Sequence, residues 1–250
     1  GNPTAEIIIA IFALLFSLNF GLYFLLLQRR FKEALKSDEA RFFLLLVAGS
    51  TALITINIMP IYENVGDSLR YAFFQVASII STTGFATADF VRWPDFSQMI
   101  LVILMFCGAC AGSTGGGIKC SRVVMLLRSI RRELHRIAHP RSVEVVRLDG
   151  KPVDESTLHS VLVFIGFYIL IILTAALVGS LDNVPFDVSF SAALTCVSNV
   201  GPGLATIGPS GNFAAFSPLS KVVLSLCMII GRLEIFPILV LFSRHTWRRS

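Results

Sequence analysis

The sequence contains the stretch Ser81-Thr82-Thr83-Gly84-Phe85-Ala86 and a second stretch of the same kind, Ser198-Asn199-Val200-Gly201-Pro202-Gly203. Each stretch is uncharged, centres on glycine and follows an apolar segment of about three helical turns, which is too short to cross a bilayer. Non-helical backbone at membrane depth is costly unless protein buries it or it lines a water-filled path. The two stretches therefore predict a pair of loops that line an ion pathway.

Composition assigns the chain to a membrane. Of its 250 residues, 54% are hydrophobic and 15% are charged, whereas a soluble domain carries about 25% charged residues. The basic residues flank apolar segments instead of covering one face, so binding to nucleic acid is not expected. The apolar segments contain no carboxylate pair and no Gly-x-Ser-x-Gly motif, which argues against an enzyme. Cys107 and Cys110 have no second cysteine pair beside them, so no metal site or covalently bound cofactor is expected.

The apolar segments, together with the basic residues that mark cytoplasmic helix ends, predict an all-α integral membrane protein with five spans and two re-entrant helices. The predicted spans are 5–27, 42–58, 97–127, 158–178 and 219–242; the short helices are 69–80, capped by Asp67-Ser68, and 188–197. Glycines interrupt the third span at 108–117, which predicts a broken helix. The segments 29–41 and 131–156 are expected in the cytoplasm, the latter with a β-hairpin at Asp149-Gly150.

The chain also contains an internal repeat. The matched positions, 117 residues apart, include Ser81 and Ser198, and Gly84 and Gly201. Each unit has the order span, short helix, glycine loop, span; the first covers 42–130 and the second 157–250. Because both units run in the same direction through the membrane, they predict a pore with rotational pseudo-symmetry about the membrane normal.

The two glycine loops have the chemistry of a cation filter. Backbone carbonyl oxygens can replace the water around a cation without placing full charge in the membrane, and glycine lets successive carbonyls face one way. The short helix before each loop directs the negative end of its dipole toward the pathway. The alternative is a pair of tight turns that contact no ion; two equivalent loops after matched helices favour the filter.

The glycine run at 112–117 has two remaining interpretations, close helix packing or a flexible barrier in the pathway. A phosphate-binding loop is excluded, because Ile118 instead of lysine follows the last glycine. Lys119 and Arg232 are the basic residues closest to the membrane interior. Each either extends toward the cytoplasmic surface or acts on the ion path.

Five motifs carry a family resemblance. They are Thr-Thr-Gly-Phe-Ala-Thr at 82–87, Trp93-Pro94, Gly-Ser-Thr-Gly-Gly-Gly-Ile-Lys at 112–119, Asn-Val-Gly-Pro-Gly at 199–203 and Gly-Arg-Leu-Glu at 231–234. Together they resemble the membrane subunits of bacterial Trk potassium-uptake systems, whose superfamily includes the Ktr and plant high-affinity potassium transporters. The resemblance runs from about Asn19-Phe20 to Trp247-Arg248, and its last two motifs favour Trk over Ktr.

The resemblance implies a filter, a gate and a regulatory partner. The implied filter residues, which would bind potassium through backbone carbonyls, are Thr82, Thr83, Gly84, Phe85, Asn199, Val200, Gly201 and Pro202. The implied gate residues are Gly112, Ser113, Thr114, Gly115, Gly116, Gly117, Lys119 and Arg232. Potassium would be the substrate, and a nucleotide would act only through a cytosolic nucleotide-binding ring that docks on 128–151 and the C-terminus.

The family builds one pore from four such units, whereas this chain has two, and residues 1–28 resemble the closing helix of a preceding unit. The chain is therefore expected to be the C-terminal half of a longer protein; the alternative is a half-length subunit that pairs with a second copy. The expected location is the lipid of the bacterial cytoplasmic membrane, as a multi-pass homodimer with a cytoplasmic C-terminus. The alternative function is a secondary transporter of a small organic solute with broken helices at its site. Coupling to protons or sodium is left open.

Overall fold

The fold of the chain is seen in a computed structural model that describes residues 2–62, 64–140, 142 and 144–233. Its α-helices are α1 Pro3–Ser17, α2 Phe20–Leu27, α3 Phe31–Ala34, α4 Asp38–Tyr62, α5 Val65–Ile80, α6 Asp95–Cys107, α7 Cys120–Ala138, α8 Glu155–Ser180, α9 Phe186–Ser198 and α10 Pro218–Arg232. Short 3-10 turns lie at Phe90–Arg92 and Ala205–Ile207. The strands are β1 Arg147–Leu148 and β2 Lys151–Pro152.

Two helices of the described chain, α4 and α8, are long and apolar enough to cross a membrane. The bent pair α1 and α2 makes a third if it is counted as one span, but the two helices meet at 90°. The prediction of one continuous helix over 5–27 is therefore wrong. Asn19 causes the break, because its side-chain oxygen accepts a hydrogen bond from Gly21 N at 2.8 Å and so caps a new helix.

The predicted third span is broken as expected, into α6 and α7 with residues 108–119 between them. The predicted fifth span begins as α10, and its remaining part, 234–242, lies outside the described residues together with the C-terminal basic cluster. Among the boundaries that differ from the predicted ones are the start of α5 and the end of α4. The cap of α5 is Asn64, which accepts from Gly66 N at 2.9 Å, and not Asp67-Ser68. Helix α4 continues past Pro60 to Tyr62, at the cost of the one backbone hydrogen bond that a proline cannot donate.

The two short helices α5 and α9 are the most deeply buried elements. Every residue from Phe74 to Ile80 is buried, and α9 buries all but Phe190 between Val188 and Ser198. Helix α4 packs against α5, while α8 and α10 pack against α9. The long helices instead expose large apolar side chains such as Leu45 and Leu177, as expected for a surface that faces lipid. The loops that follow α5 and α9 are therefore anchored on deeply buried helices.

The predicted hairpin at Asp149-Gly150 is confirmed. Strands β1 and β2 pair antiparallel, with Arg147 opposite Pro152. Asp149 and Gly150 have φ values of 52° and 77°, the left-handed conformation that a two-residue hairpin turn requires at both positions. The hairpin is anchored on the start of α4, because the Asp149 side chain accepts from Asp38 N at 2.7 Å.

Candidate functional site

Three loops meet at the ends of the buried helices: the first glycine loop (81–86), the second glycine loop (198–203) and the glycine-rich loop (108–119). The two glycine loops lie backbone to backbone. A Cβ added at Gly84 would lie 2.2 Å from the carbonyl oxygen of Val200 and 3.0 Å from Cδ of Pro202. Gly84 and Gly201 have φ values of 73° and 117°, so the structure brings together the two glycines that the sequence pairs by its repeat.

Hydrogen bonds from hydroxyl-bearing residues at the end of α5 fix the position of the first glycine loop. The Ser78 hydroxyl donates to the carbonyl oxygen of Phe85 at 2.5 Å, and Thr83 N donates to the carbonyl oxygen of Ser78 at 3.1 Å. The hydroxyls of Ser81 and Thr83 lie 3.0 Å apart. The loop therefore has a fixed path, although Thr83 itself is exposed.

The second glycine loop is held in an equivalent way. Asn199 takes the left-handed conformation that ends α9, and Val200 N donates to the carbonyl oxygen of Thr195 at 3.0 Å. Gly201 N donates to the Thr195 hydroxyl at 2.9 Å. Thr195 lies 117 residues after Ser78, so one hydroxyl-bearing residue braces the glycine loop in each repeat. Sequence reasoning missed both residues; a hydroxyl at the same repeat position was the available signal.

The bracing leaves carbonyl groups without protein partners. Within 2–62, 64–140, 142 and 144–233, the carbonyl oxygens of Thr82, Thr83 and Gly84 accept no hydrogen bond, nor do those of Asn199, Val200 and Gly201. A backbone carbonyl is a strong acceptor that needs water, a protein donor or a cation. The two loops thus present oxygen ligands and carry no charged side chain.

The glycine-rich loop packs against the ends of both short helices. Gly116 N donates to the Thr82 hydroxyl at 2.8 Å. A Cβ added at Gly116 would lie 2.2 Å from the carbonyl oxygen of Ser198, and one at Gly115 would lie 3.2 Å from that of Ser81. The glycines at these positions allow the loop backbone to touch both glycine loops.

Cationic side chains, those of Arg232 and Lys119 among them, donate hydrogen bonds to carbonyl oxygens of the glycine-rich loop. Nη1 of Arg232 donates to the carbonyl oxygen of Thr114 at 2.7 Å, and Nζ of Lys119 donates to that of Gly115. Both residues were singled out from the sequence, where an extended position toward the cytoplasmic surface was the alternative. In the structure the charged groups lie on the loop itself.

The break between α1 and α2 also contacts the glycine-rich loop. Cys110 N donates to the carbonyl oxygen of Ser17 at 3.0 Å, and Phe20 N donates to that of Gly112 at 3.2 Å. Sequence reasoning missed this contact, because residues 5–27 were interpreted as one helix. Two backbone groups at the break, the carbonyl of Ser17 and the N–H of Phe20, thus pair with the loop.

Tyr168 supports the second glycine loop from α8, and removing its hydroxyl is expected to loosen that loop. The side chain is 2% exposed and its hydroxyl lies 2.6 Å from that of Ser198. Tyr168→Phe leaves the Ser198 hydroxyl buried without this partner, which costs about 1–3 kcal/mol. Thermal unfolding of the purified full-length protein should report the loss as a lower Tm.

The matched control for this variant is Tyr71→Phe, because the described structure gives the Tyr71 hydroxyl no hydrogen bond while its ring contacts Tyr62 and Arg70. Its effect should stay within about 0.5 kcal/mol. Equal Tm values for the two variants would contradict a supporting role for Tyr168.

Comparison with known proteins gives consistent matches over nearly the whole chain. The family model for TrkH, described as a cation transport protein, matches residues 2–248. The Trk system potassium uptake protein TrkH of Salmonella typhimurium is 36% identical over 250 residues, covering 99% of this chain and 51% of that protein. TrkG of Escherichia coli, also a Trk system potassium uptake protein, is 32% identical with the same coverage.

A solved structure agrees with these matches. The crystal structure of the potassium transporter TrkH from Vibrio parahaemolyticus superposes with a TM-score of 0.90 at 30% identity, covering 99% of this chain and 53% of that one. The chain spans about half the length of the curated relatives that it matches.

Proposed function

The chain belongs to the TrkH family of cation transport proteins, and from this premise we propose that it supplies two filter segments and the gate of a potassium pathway. The observation that carries the proposal is the set of carbonyls on the two glycine loops that accept no hydrogen bond from any described residue; the loops touch each other at Gly84 and Val200. Its relatives are potassium uptake proteins by name. Potassium is accordingly the proposed substrate of this chain.

In the proposed filter, potassium exchanges water for carbonyl oxygens of Thr82 to Phe85 and Asn199 to Pro202. The C-terminal ends of α5 and α9 point their partial negative charge at the ion. Ser78 and Thr195 act through the backbone: they hold the loops so that the carbonyls need no reorganisation when the ion arrives. Because no carboxylate lies in either loop, a monovalent cation is favoured over calcium.

In the proposed gate, the glycine-rich loop obstructs the path below both filter segments. The positive charges of Arg232 and Lys119 lie on the loop carbonyls and raise the energy of a cation at that level. Ion passage then requires the loop to move, and its glycines, five between 108 and 117, permit that movement.

The complete pathway needs two further filter segments from the other half of a longer chain or from a second copy. The five-span, two-re-entrant-helix topology, the pseudo-fourfold arrangement and the dimeric state belong to this proposal. So does a location in the bacterial cytoplasmic membrane with a cytoplasmic C-terminus. A nucleotide-binding regulatory ring would dock on the basic end of α7, where Arg128, Arg132 and Arg136 lie.

The test of the proposed function is ion flux into proteoliposomes that contain the full-length protein. Potassium flux is expected to exceed sodium flux in ion-replacement measurements, because carbonyl oxygens replace the hydration shell of potassium at a lower cost than that of sodium. Protein-free vesicles provide the control. Uptake of labelled organic solutes with no potassium current would contradict the proposal and favour a secondary transporter.

A further inference from the structure

A buried carboxylate joins the two ends of the glycine-rich loop. Glu39 is the second residue of α4 and is 6% exposed. Its Oε1 accepts from Ala111 N at 2.6 Å and from Ser121 N at 2.9 Å. Ala111 lies near the start of the loop and Ser121 just after its end, so one oxygen atom fixes both.

The chemistry of these contacts suits an ionised carboxylate. Burying a charge is costly unless hydrogen bonds satisfy it, and here both donors are backbone N–H groups. Ser121 N lies in the first turn of α7, where the helix dipole favours a negative charge. The break between α1 and α2 contacts the same loop separately, since Phe20 N donates to the carbonyl oxygen of Gly112 at 3.2 Å. Glu39 is thus the point where α4, α7 and the glycine-rich loop are tied together.

The neighbouring residue extends this connection to the hairpin. Asp38 Oδ2 accepts from Asp149 N at 2.8 Å and from Nη1 of Arg128 at 2.8 Å. Asp38 N in turn donates to the Asp149 side chain at 2.7 Å. Adjacent carboxylates at the start of α4 therefore hold the hairpin on one side and the glycine-rich loop on the other.

We propose that Glu39 is the positioning residue that holds the glycine-rich loop in its obstructing position, with Asp38 linking that position to the hairpin. The proposal rests on the proposed function, since a gate requires a pathway. A displacement of the hairpin by a bound partner pulls on Asp38, moves the start of α4 and releases the loop through Glu39. Charge-assisted hydrogen bonds that a buried carboxylate accepts are strong enough to set such a two-state balance.

The test compares Glu39→Ala and Glu39→Gln in the full-length protein. Without a regulatory partner, basal potassium flux is expected to rise about tenfold in Glu39→Ala, because the loop loses its charged anchor. Glu39→Gln keeps an acceptor oxygen and loses the charge, so its flux should rise by about threefold. Glu33→Ala is the control. Glu33 lies in the same charged segment, 29–41, but its side chain is exposed and pairs with Arg30, so its removal should leave the flux unchanged.

A second readout does not depend on ion flux. Cys110 lies in the glycine-rich loop and is fully buried, so its labelling by methyl methanethiosulfonate, mapped by mass spectrometry, reports release of the loop. Labelling of Cys110 is expected to rise about tenfold in Glu39→Ala, as the flux does, while Cys196 in α9 stays unlabelled.

The outcomes separate this proposal from the proposed function. Unchanged Cys110 labelling in folded Glu39→Ala and Glu39→Gln would overturn the role of Glu39, whatever the flux. Faster Cys110 labelling in a protein that carries no potassium would support the positioning role and contradict the potassium pathway. If Glu39→Ala does not fold, Glu39→Gln carries both measurements, and wild-type values for it would overturn the proposal.

Discussion

Gly84→Ala is expected to lower the permeability ratio of potassium to sodium at least about tenfold, a change of about 1.4 kcal/mol in discrimination. The added Cβ would lie 2.2 Å from the carbonyl oxygen of Val200, so both glycine loops must move apart. The φ of 73° adds strain of about 1–2 kcal/mol for an L-residue. Ion-replacement flux in proteoliposomes measures the ratio directly.

The matched control is Gly49→Ala in α4, where an added Cβ meets nothing within 4 Å. Alanine is favoured over glycine in a helix by about 0.5–1 kcal/mol, so this variant should keep wild-type selectivity and unfold at a slightly higher temperature.

A second loop variant, Gly201→Ala, separates backbone strain from steric displacement. A Cβ added at Gly201 has its nearest neighbouring atom 3.9 Å away, so it displaces nothing, but the φ of 117° still strains an alanine. We expect it to lose less selectivity than Gly84→Ala. Wild-type selectivity in both loop variants would show that these glycines are not part of the filter.

Arg232→Ala is expected to raise basal cation flux about tenfold, because it removes a charged hydrogen bond worth about 1.5–3 kcal/mol from the glycine-rich loop. The bond runs from Nη1 of Arg232 to the carbonyl oxygen of Thr114 at 2.7 Å. The variant also removes a positive charge from the level where the cation must pass. Flux of potassium into proteoliposomes in the absence of any regulatory partner measures the increase, and removal of residues 113–117 should raise it as well.

Two further variants identify the cause of the increase. Lys221→Ala removes a cation from the same helix, but Lys221 is exposed and its Nζ lies 3.5 Å from the carbonyl oxygen of Ala214; its flux should equal wild type. Arg232→Lys keeps the charge and loses the planar guanidinium, so an intermediate flux would indicate that charge and hydrogen bonding both contribute. A wild-type flux in Arg232→Ala would show that this side chain is not part of the barrier.

The parts of the fold that could be predicted have local signals. Glycine and charge patterns located the broken third span and the two glycine loops, and the repeat offset paired Gly84 with Gly201 before any distance was known. Asp149-Gly150 predicted its hairpin because a two-residue turn needs left-handed backbone at both positions. For the broken span, the loops and the hairpin, the determining physics lies within a few residues of chain; the pairing of Gly84 with Gly201 came from the 117-residue repeat.

The parts that could not be predicted depend on contacts distant in sequence. Residues 5–27 are apolar throughout, and the single sign of a break was Asn19 inside that run. Glu39 appeared to belong to a solvated charged connection, yet its partner Ala111 is 72 residues away. Whether a carboxylate is buried depends on the residues that pack over it. Composition and periodicity do not reveal those residues when they are distant in sequence. Ser78 and Thr195 were missed because the repeat was recognised from identical residues, and serine matched with threonine did not stand out.

The bend between α1 and α2 has a consequence for biogenesis. Its backbone partners, Cys110 and Gly112, follow Ser17 by roughly 90 residues, which a ribosome adds in about 5–20 s. During this interval the bend must keep its polar groups in contact with water or the insertion machinery, because lipid offers no hydrogen bonds. The glycine-rich loop, which is synthesised later, then supplies the hydrogen-bond partners that the bend lacked. Chain growth therefore imposes an order on assembly, with the bend first and the loop docked upon it afterwards.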